Sequence, residues 1–198
     1  MSDKYHHGDL KNALIEAGLD ILSKEGVQAL SLRKVARKAG VSHAAPYAHF
    51  ADKQALIAAI ATEGYARLYQ DLAEVAAHYA GDPSQALIEV AWAYVQFAVN
   101  HPDHFKVTFS GIVENETDYP EYVEQSKKSL KLVMDLVTDC QEVGLLTAGD
   151  SELLAISIWA GIHGFISLLL GNQIPSAVLE RFTLREILVF HIHQSLAQ

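Results

Sequence analysis

The chain has 198 residues, a net charge of −9 and a single cysteine, and half of its residues are apolar. An apolar fraction of this size excludes a disordered chain and predicts a packed globule. The lone Cys140 excludes an internal disulfide and suits a reducing compartment. The opening residues, MSDKYHHGDLKN, are polar and lack the apolar run of a secretory signal, so we expect a cytoplasmic protein.

Positive charge is concentrated near the N-terminus although the whole chain is acidic. Residues 1–60 hold eight Lys or Arg against six Asp or Glu, whereas residues 61–198 hold seven against eighteen. Charge alone leaves two interpretations of the basic region, a solvated helix face and a surface that binds nucleic acid. Its densest part, residues 31–53, has Asp52 as the one anion and five cations: Arg33, Lys34, Arg37, Lys38 and Lys53.

Apolar residues recur at helical spacing along the chain, and no segment shows the alternation of a strand. The first helix is predicted to begin after Asp9 and to end at Gly26. The second follows Ser31, an expected N-cap, and closes at Gly40, which suits the left-handed residue of a helix end. A fourth helix is predicted from Asp52 to the GDPS segment.

A short third helix is predicted from about His43 to Phe50, with Ser42 as its N-cap and Pro46 in or next to its first turn. Two helices joined by a Gly-containing turn form a helix-turn-helix, whose second helix enters the major groove of DNA. The neighbouring cations and the hydroxyls of Ser31 and Ser42 would then face phosphates.

The stretch SLRKVARKAGVSHAAPYAHFADKQAL resembles the DNA-binding signature of TetR-type (TetR/AcrR) transcriptional regulators. In that signature a Gly-Val-Ser turn precedes Tyr-x-His-Phe and then a Lys. The resemblance implies phosphate contacts from Tyr47, His49 and Lys53. It also implies a base-facing set that consists of Arg33, His43, Ala44 and Ala45.

The rest of the chain is predicted to form a second, acidic, all-helical domain. We therefore expect a three-helix DNA-binding domain over residues 1–55 and a ligand-binding and dimerisation domain over residues 56–198. In the second domain, one helix is predicted from Pro83 and another from about Pro120 to Gly144. Between them lie a short helix with two phenylalanines and an acidic loop, GIVENETDYP.

The segment LLAISIWAGIHGFISLLL, residues 153–170, is apolar almost all round. Its length reaches the lower limit of a membrane span, but the enclosed His163, two serines and two glycines and the lack of a cationic flank favour a buried helix. Such a helix needs a second chain to cover it, as the resemblance also implies. A last helix with a capping box, Thr183 and Glu186, completes the predicted dimer interface: Ile162, Phe165, Leu169, Ile187, Leu188, His191, Ile192 and Ser195.

A cavity for a small-molecule effector is expected in the second domain. Bulky aromatic side chains with a few polar tips have the composition of an apolar cavity, although each alone is as well explained by core packing. Trp159, His163 and Gly164 also resemble a subgroup with a C-terminal Trp-x-x-x-His-Gly motif. The candidate pocket residues are Trp92, Phe105, Phe109, Tyr122, Met134, Trp159 and His163.

No Ser/His/Asp set, Cys/His set or Gly-rich phosphate loop occurs in the sequence, and the His spacings do not suit a metal. We therefore expect no enzyme, no metal and no cofactor. The predicted function is a homodimeric transcriptional repressor that binds double-stranded DNA at a palindromic operator and is released by an effector. The alternative is a helical dimeric adaptor that acts through protein contacts without DNA; an all-helical enzyme is a remote third.

Overall fold

The regular structure of the chain is helical, as predicted. The computed structural model describes residues 7–194, and no strand occurs in that range. Short 3-10 helices cover Val27–Ala29, Ala45–Ala48 and Glu116–Asp118. The α-helices of the described range are α1 (His7–Glu25), α2 (Leu32–Ala39), α3 (Lys53–His78), α4 (Pro83–Asn100), α5 (Pro102–Thr108), α6 (Pro120–Glu142), α7 (Ser151–Leu170), α8 (Ser176–Leu179) and α9 (Leu184–His193).

The chain forms two compact units. The first combines Met1–Ala66 with Asp103–Ser126, and the second combines Arg67–Pro102 with Lys127–Gln198. The long helices α3 and α6 each contribute residues to both units. The functional division at residue 55 stays a prediction, because compactness alone does not say which residues bind DNA.

Burial of one apolar stripe per helix builds the first unit. Leu14 and Ile21 of α1, Val35 of α2 and Leu56 and Ile60 of α3 are all buried. They recur at the three- and four-residue spacings that place side chains on one face of a helix. The packing of α1 against α2 and α3 therefore fixes the direction in which the helix-turn-helix faces.

The predicted third helix is shorter than expected: a helix from about His43 to Phe50 was predicted, and the structure has the 3-10 helix Ala45–Ala48. Pro46 has no backbone N–H and cannot donate to the Ser42 carbonyl, which instead accepts from the amide of Ala45 at 3.0 Å. The amides of Tyr47 and His49 continue this tighter i to i+3 pattern. The Ser42 side chain makes no cap, since Ala44 precedes the 3-10 helix.

In the second unit, α7 packs against α4 and α9 along one face only. Ala155, Ile158, Ile162 and Ile166 on this face are buried. By length and composition α7 is apolar enough to cross a membrane, with a mean hydropathy of 2.0, and only 22% of it is buried. Its exposed apolar residues include Leu153, Ile156 and Leu168.

Helix α9 begins with the predicted capping box. The hydroxyl of Thr183 accepts from the amide of Glu186 at 3.2 Å, and the Glu186 carboxylate accepts from the amide of Thr183 at 2.7 Å. An alanine Cβ at Gly161 of α7 would lie 2.1 Å from Cε1 and Nε2 of His191 on α9, so a glycine at this position lets the two helices of one chain meet without moving this ring.

Gly64 of α3 makes the closest helix approach in the first unit. An alanine Cβ at this position would lie 1.9 Å from Oγ1 and 3.2 Å from Cβ of Thr108. We expect Gly64→Ala to lower the free energy of unfolding by about 1–3 kcal/mol, because overpacking outweighs the gain of about 1 kcal/mol in helix propensity. Equilibrium urea denaturation measures the change.

Gly18→Ala is the matched control, because the new Cβ would strike only the tip of the Ile60 side chain, at 2.8 Å, and would make an ordinary contact with Leu56 at 3.4 Å. In a Thr108→Ala background, Gly64→Ala should cost less, since the buried Oγ1 that it strikes is gone. An equal loss at both glycines, or no relief in the double variant, would contradict this packing.

Candidate nucleic-acid interface

A rigid turn joins α2 to the segment that follows it. Ser31 caps α2 by accepting from the amide of Lys34 at 3.2 Å. At the other end Gly40 is left-handed, with φ of 71°, and the amide of Val41 donates to the Ala36 carbonyl at 3.0 Å. Together these bonds form a Schellman-type helix end, which sets the exit direction of the chain.

The 42–50 segment is packed against the core on one side and exposed to solvent on the other. Pro46 and Phe50 are buried, and the amide of Phe50 donates to the Pro46 carbonyl at 2.9 Å. On the other side Ser42, His43 and Ala44 are exposed. The outer surface therefore consists of short side chains and an imidazole, so that another molecule can approach the backbone closely.

The beginning of α3 brings positive charge next to this segment. The Asp52 carboxylate accepts from the amide of Ala55 at 2.8 Å and so caps the helix, with Lys53 as its first residue. A helix N-terminus carries unpaired N–H groups and a positive end of the helix dipole, both of which attract phosphate. Tyr47, which is 55% exposed, lies in the 42–50 segment that precedes this helix start.

Two of the five basic residues of the 31–53 region form ion pairs within the protein. Lys34 pairs with Glu25 at 2.5 Å, and Lys38 pairs with Asp20 at 2.5 Å. Asp20 also accepts from Lys24, and these lysines hold the pKa of its carboxyl below the ordinary value, the bond from Lys24 having the largest effect. Lys34 and Lys38 thus tie α2 to the end of α1.

All nine residues predicted to contact DNA lie in the first unit. The structure places Ala45, His49 and Lys53 in half-buried positions. The other six are exposed on the surface of this unit: Ser31, Arg33, Ser42, His43, Ala44 and Tyr47.

The predicted effector residues are divided between the two units. Phe105, Phe109 and Tyr122 belong to the first unit. The ring of Tyr65 lies 5.3 Å from that of Phe109 and 5.8 Å from that of Tyr122, and Phe105 contacts Phe109 at 5.0 Å. Burial raises the pKa of Tyr65 far above its ordinary value. The sequence analysis missed Tyr65, although a tyrosine among the apolar residues of α3 signals a hydroxyl that needs a partner.

In the second unit, Trp159 and His163 form a polar cluster with Tyr94. The Tyr94 hydroxyl lies 2.7 Å from Nδ1 of His163, and Nε1 of Trp159 donates to the same hydroxyl at 3.4 Å. Burial lowers the pKa of His163, which favours its neutral ring. Tyr94 was also missed; Trp92 and Met134, the other predicted members, are half-buried on α4 and α6.

Comparison with known families identifies this architecture. Residues 14–60 match the sequence profile described as "Bacterial regulatory proteins, tetR family". Residues 87–189, more than half of the chain, match the "Tetracyclin repressor-like, C-terminal domain". The chain belongs to the TetR family. The regulator profile spans the whole predicted helix-turn-helix, about residues 31–50, and ends within α3.

Several individual proteins are similar to this chain. A protein of unknown function from Rhodococcus sp. RHA1 is 31% identical and superimposes with a TM-score of 0.80, with full coverage of both chains. The Bacillus subtilis HTH-type transcriptional regulator YobS is 27% identical over 56% of this chain and 57% of its own length. The class A tetracycline repressor from Escherichia coli is 46% identical over 50 residues, 25% of this chain and 23% of the repressor.

The ion pairs of Asp20 with Lys24 and Lys38 predict a pH dependence of stability. Because the folded pKa is lowered, the stabilisation is complete above the ordinary pKa of 3.8 and is lost as the pH falls through the folded value. Asp20→Asn should therefore lower the melting temperature at about pH 7 and have little effect at about pH 2. Thermal unfolding followed by circular dichroism measures both.

A carboxyl titration by NMR provides the control. Lys38→Gln should raise the pKa of Asp20 but leave it below its ordinary value, because Lys24 still donates. If the Asp20→Asn variant loses equal stability at both pH values, the carboxylate does not act through these ion pairs.

Proposed function

We propose that this TetR-family protein is a homodimeric repressor that binds a palindromic operator and is released by a small-molecule effector. The observation that carries the proposal is the 42–50 segment, which is held by a buried Pro46 and Phe50 and is flanked by cations. A two-fold dimer would present two such segments to half-sites one helical turn apart in the major groove. A bound dimer would repress by blocking access to the operator.

Phosphate contacts fix the position of the motif in this proposal. Tyr47, His49 and Lys53 bind phosphates of the DNA backbone. The hydroxyls of Ser31 and Ser42 donate further hydrogen bonds to phosphates. The base contacts then come from side chains that reach the groove. Arg33 donates to a guanine, and His43 adds a further hydrogen bond.

The short side chains of Ala44 and Ala45 have a positive role in this arrangement. A 3-10 helix that begins with Ala45 and is preceded by the exposed Ala44 can approach base edges more closely than a helix of long polar residues. Methyl groups of this kind contact the C5-methyl group of thymine. Each half-site should therefore contain a guanine next to one or more thymines.

The dimer is proposed to form through α7 and α9, as a four-helix contact between two chains. The exposed apolar residues Leu153, Ile156 and Leu168 on α7 and Phe190 on α9 support it, because they would otherwise face water. Of the residues predicted for this interface, Ile162, Leu188 and Ile192 are buried within their own chain. Phe165, Leu169, Ile187 and His191 are half-buried, and Ser195 lies outside the described residues.

Effector release is the remaining part of the proposal. An effector must bind one arrangement of the protein better than another, and α3 carries residues of both units. We keep residues 1–55 as the DNA-binding part and residues 56–198 as the effector and dimer part, in a cytoplasmic protein. The subgroup likeness of Trp159, His163 and Gly164 is likewise a proposal, which the hydrogen-bonded cluster with Tyr94 supports.

Arg33 and Lys53 should affect DNA binding in different ways. Arg33→Ala should cost about 1–3 kcal/mol and relax specificity at one guanine, because it removes a base contact. Lys53→Ala should weaken binding to all sequences and lower the salt slope by about 1 per subunit. Fluorescence anisotropy with operator and mutated duplexes at several salt concentrations separates the two effects.

Lys38→Ala is the matched control, because the Lys38 ammonium is paired with Asp20. It should change the salt slope much less than Lys53→Ala. If Lys38→Ala and Lys53→Ala lower the slope equally, or if Arg33→Ala weakens all sequences alike, the assigned contacts are wrong.

Replacement of thymine by uracil tests the role of Ala44 and Ala45. This replacement removes one methyl group and leaves base pairing intact, so binding should weaken at the thymines that the two alanines contact. The operator is scanned one thymine at a time. Uniform affinity across the whole scan would rule out methyl readout by this segment.

The exposed stripe of α7 makes a prediction about oligomeric state. Ile156→Glu should convert the dimer into monomers at micromolar concentration, because it would place an unpaired charge in an apolar interface. Val99→Glu on α4 is the control, since Val99 and Ile156 are both 44% exposed. Sedimentation velocity should show a dimer for Val99→Glu; a stable Ile156→Glu dimer would contradict the interface.

A further inference from the structure

An open groove of about 780 Å³ lies between α3 and α4 within the second unit. Its volume falls in the range of small-molecule sites. The carboxylates of Asp71, Glu74 and Glu89 line it together with the rings of Trp92 and Phe97. None of the described residues that line the groove is a lysine or an arginine. The groove therefore combines aromatic surface with negative charge.

The guanidinium of Arg185 on α9 contacts the edge of this groove. Its Nη2 and Nη1 atoms donate to the two oxygens of Glu89 at 2.5 and 3.1 Å, and its Cζ atom lies 5.7 Å from the centre of the Trp92 ring. The Glu89 side chain is only 15% exposed and also accepts from Gln85 at 2.6 Å. The Arg185 bond is the main cause of the lowered pKa of Glu89.

A carboxylate beside an aromatic ring is the pair of groups that recognises an organic cation. In this chain Arg185 supplies that cation from within. We propose that the groove binds an organic cation with an aromatic body, which takes the place of the Arg185 guanidinium on Glu89 and Trp92. This proposal names the effector class for the function proposed above and rests on that function only for the effect on DNA.

The exchange is physically reasonable because Arg185 is held at the surface. Its side chain is 40% exposed, so water can hydrate the guanidinium when it leaves Glu89. An aromatic ligand would also bury apolar area against the half-buried Val75 and Tyr79, which line the groove, and Asp71 and Glu74 would attract its charge. Arg185 lies in the first turn of α9, so its release would act on the helix that packs against α4 and α7.

Two ions of the same shape and opposite charge test the proposal without DNA. Tetraphenylphosphonium and tetraphenylborate differ in the sign of their charge and share their aromatic surface. Isothermal titration calorimetry with the full-length protein should show binding of the phosphonium and at least about tenfold weaker binding of the borate. Equal binding of the two ions, or no binding of the phosphonium, would overturn the proposal.

Variants then locate the site. Glu89→Gln should weaken phosphonium binding about tenfold, while Arg185→Met should strengthen it by a similar factor because the internal competitor is gone. Arg185→Lys keeps the charge but lacks the two parallel N–H donors of the guanidinium, so its affinity for the phosphonium should lie between those of wild type and Arg185→Met. It provides a second variant if Arg185→Met is unstable. Glu142→Gln, on the exposed end of α6, is the control and should bind as wild type does.

Phosphonium binding that is unchanged in Glu89→Gln and in both Arg185 variants would place the cation elsewhere and overturn the proposal. Because this binding is measured without DNA, its failure leaves DNA recognition untouched. Conversely, a loss of operator binding in the Arg33 and Lys53 variants says nothing against the groove.

Discussion

The interface depends on one left-handed backbone turn. At Gly40 the φ angle is 71°, α2 ends, and the amide of Val41 bonds back to Ala36. This closure directs the next residues so that Pro46 and Phe50 enter the core while His43 and Ala44 remain outside. A side chain at Gly40 would meet no neighbouring atom, so the constraint comes from the backbone conformation and not from space.

Elements that are decided by local chemistry could be predicted from the sequence. Ser31 caps α2, Gly40 closes it, and Thr183 with Glu186 begins α9, because each motif needs only a hydroxyl, a carboxylate or a glycine at a fixed spacing. The 42–50 segment was different. Its sequence permits a short α-helix with Pro46 in the first turn, and burial of Pro46 with the loss of its amide gives a 3-10 helix instead.

Directions and long-range partners could not be obtained in the same way. The composition of α7 predicts an apolar helix, but does not tell which face its own chain covers and which face carries Ile156. The basic cluster likewise gives a net charge without showing that Lys34 and Lys38 bind carboxylates of α1. These pairings arise only when α1 and α2 pack, so the structure is needed to separate structural lysines from those available to phosphate.

The proposed functions are assigned to separate surfaces of the chain that differ in their chemistry. Short side chains on an anchored segment suit close contact with bases, and the cation of Lys53 at the start of α3 suits the sugar–phosphate backbone. Apolar residues on the open face of α7 suit a second copy of the chain, and the carboxylates of the α3–α4 groove suit a cation. Each surface is matched to a different chemical partner.

Hydrogen exchange of the backbone amides, measured by mass spectrometry with and without DNA, tests directly whether residues 31–53 bind DNA. The DNA is a duplex selected from random sequence for tight binding. We expect slower exchange in peptides that cover residues 31–53 when the duplex is bound, with the largest change in the 42–50 segment. No selectable duplex, or a bound duplex that leaves exchange in residues 31–53 unchanged, would contradict it.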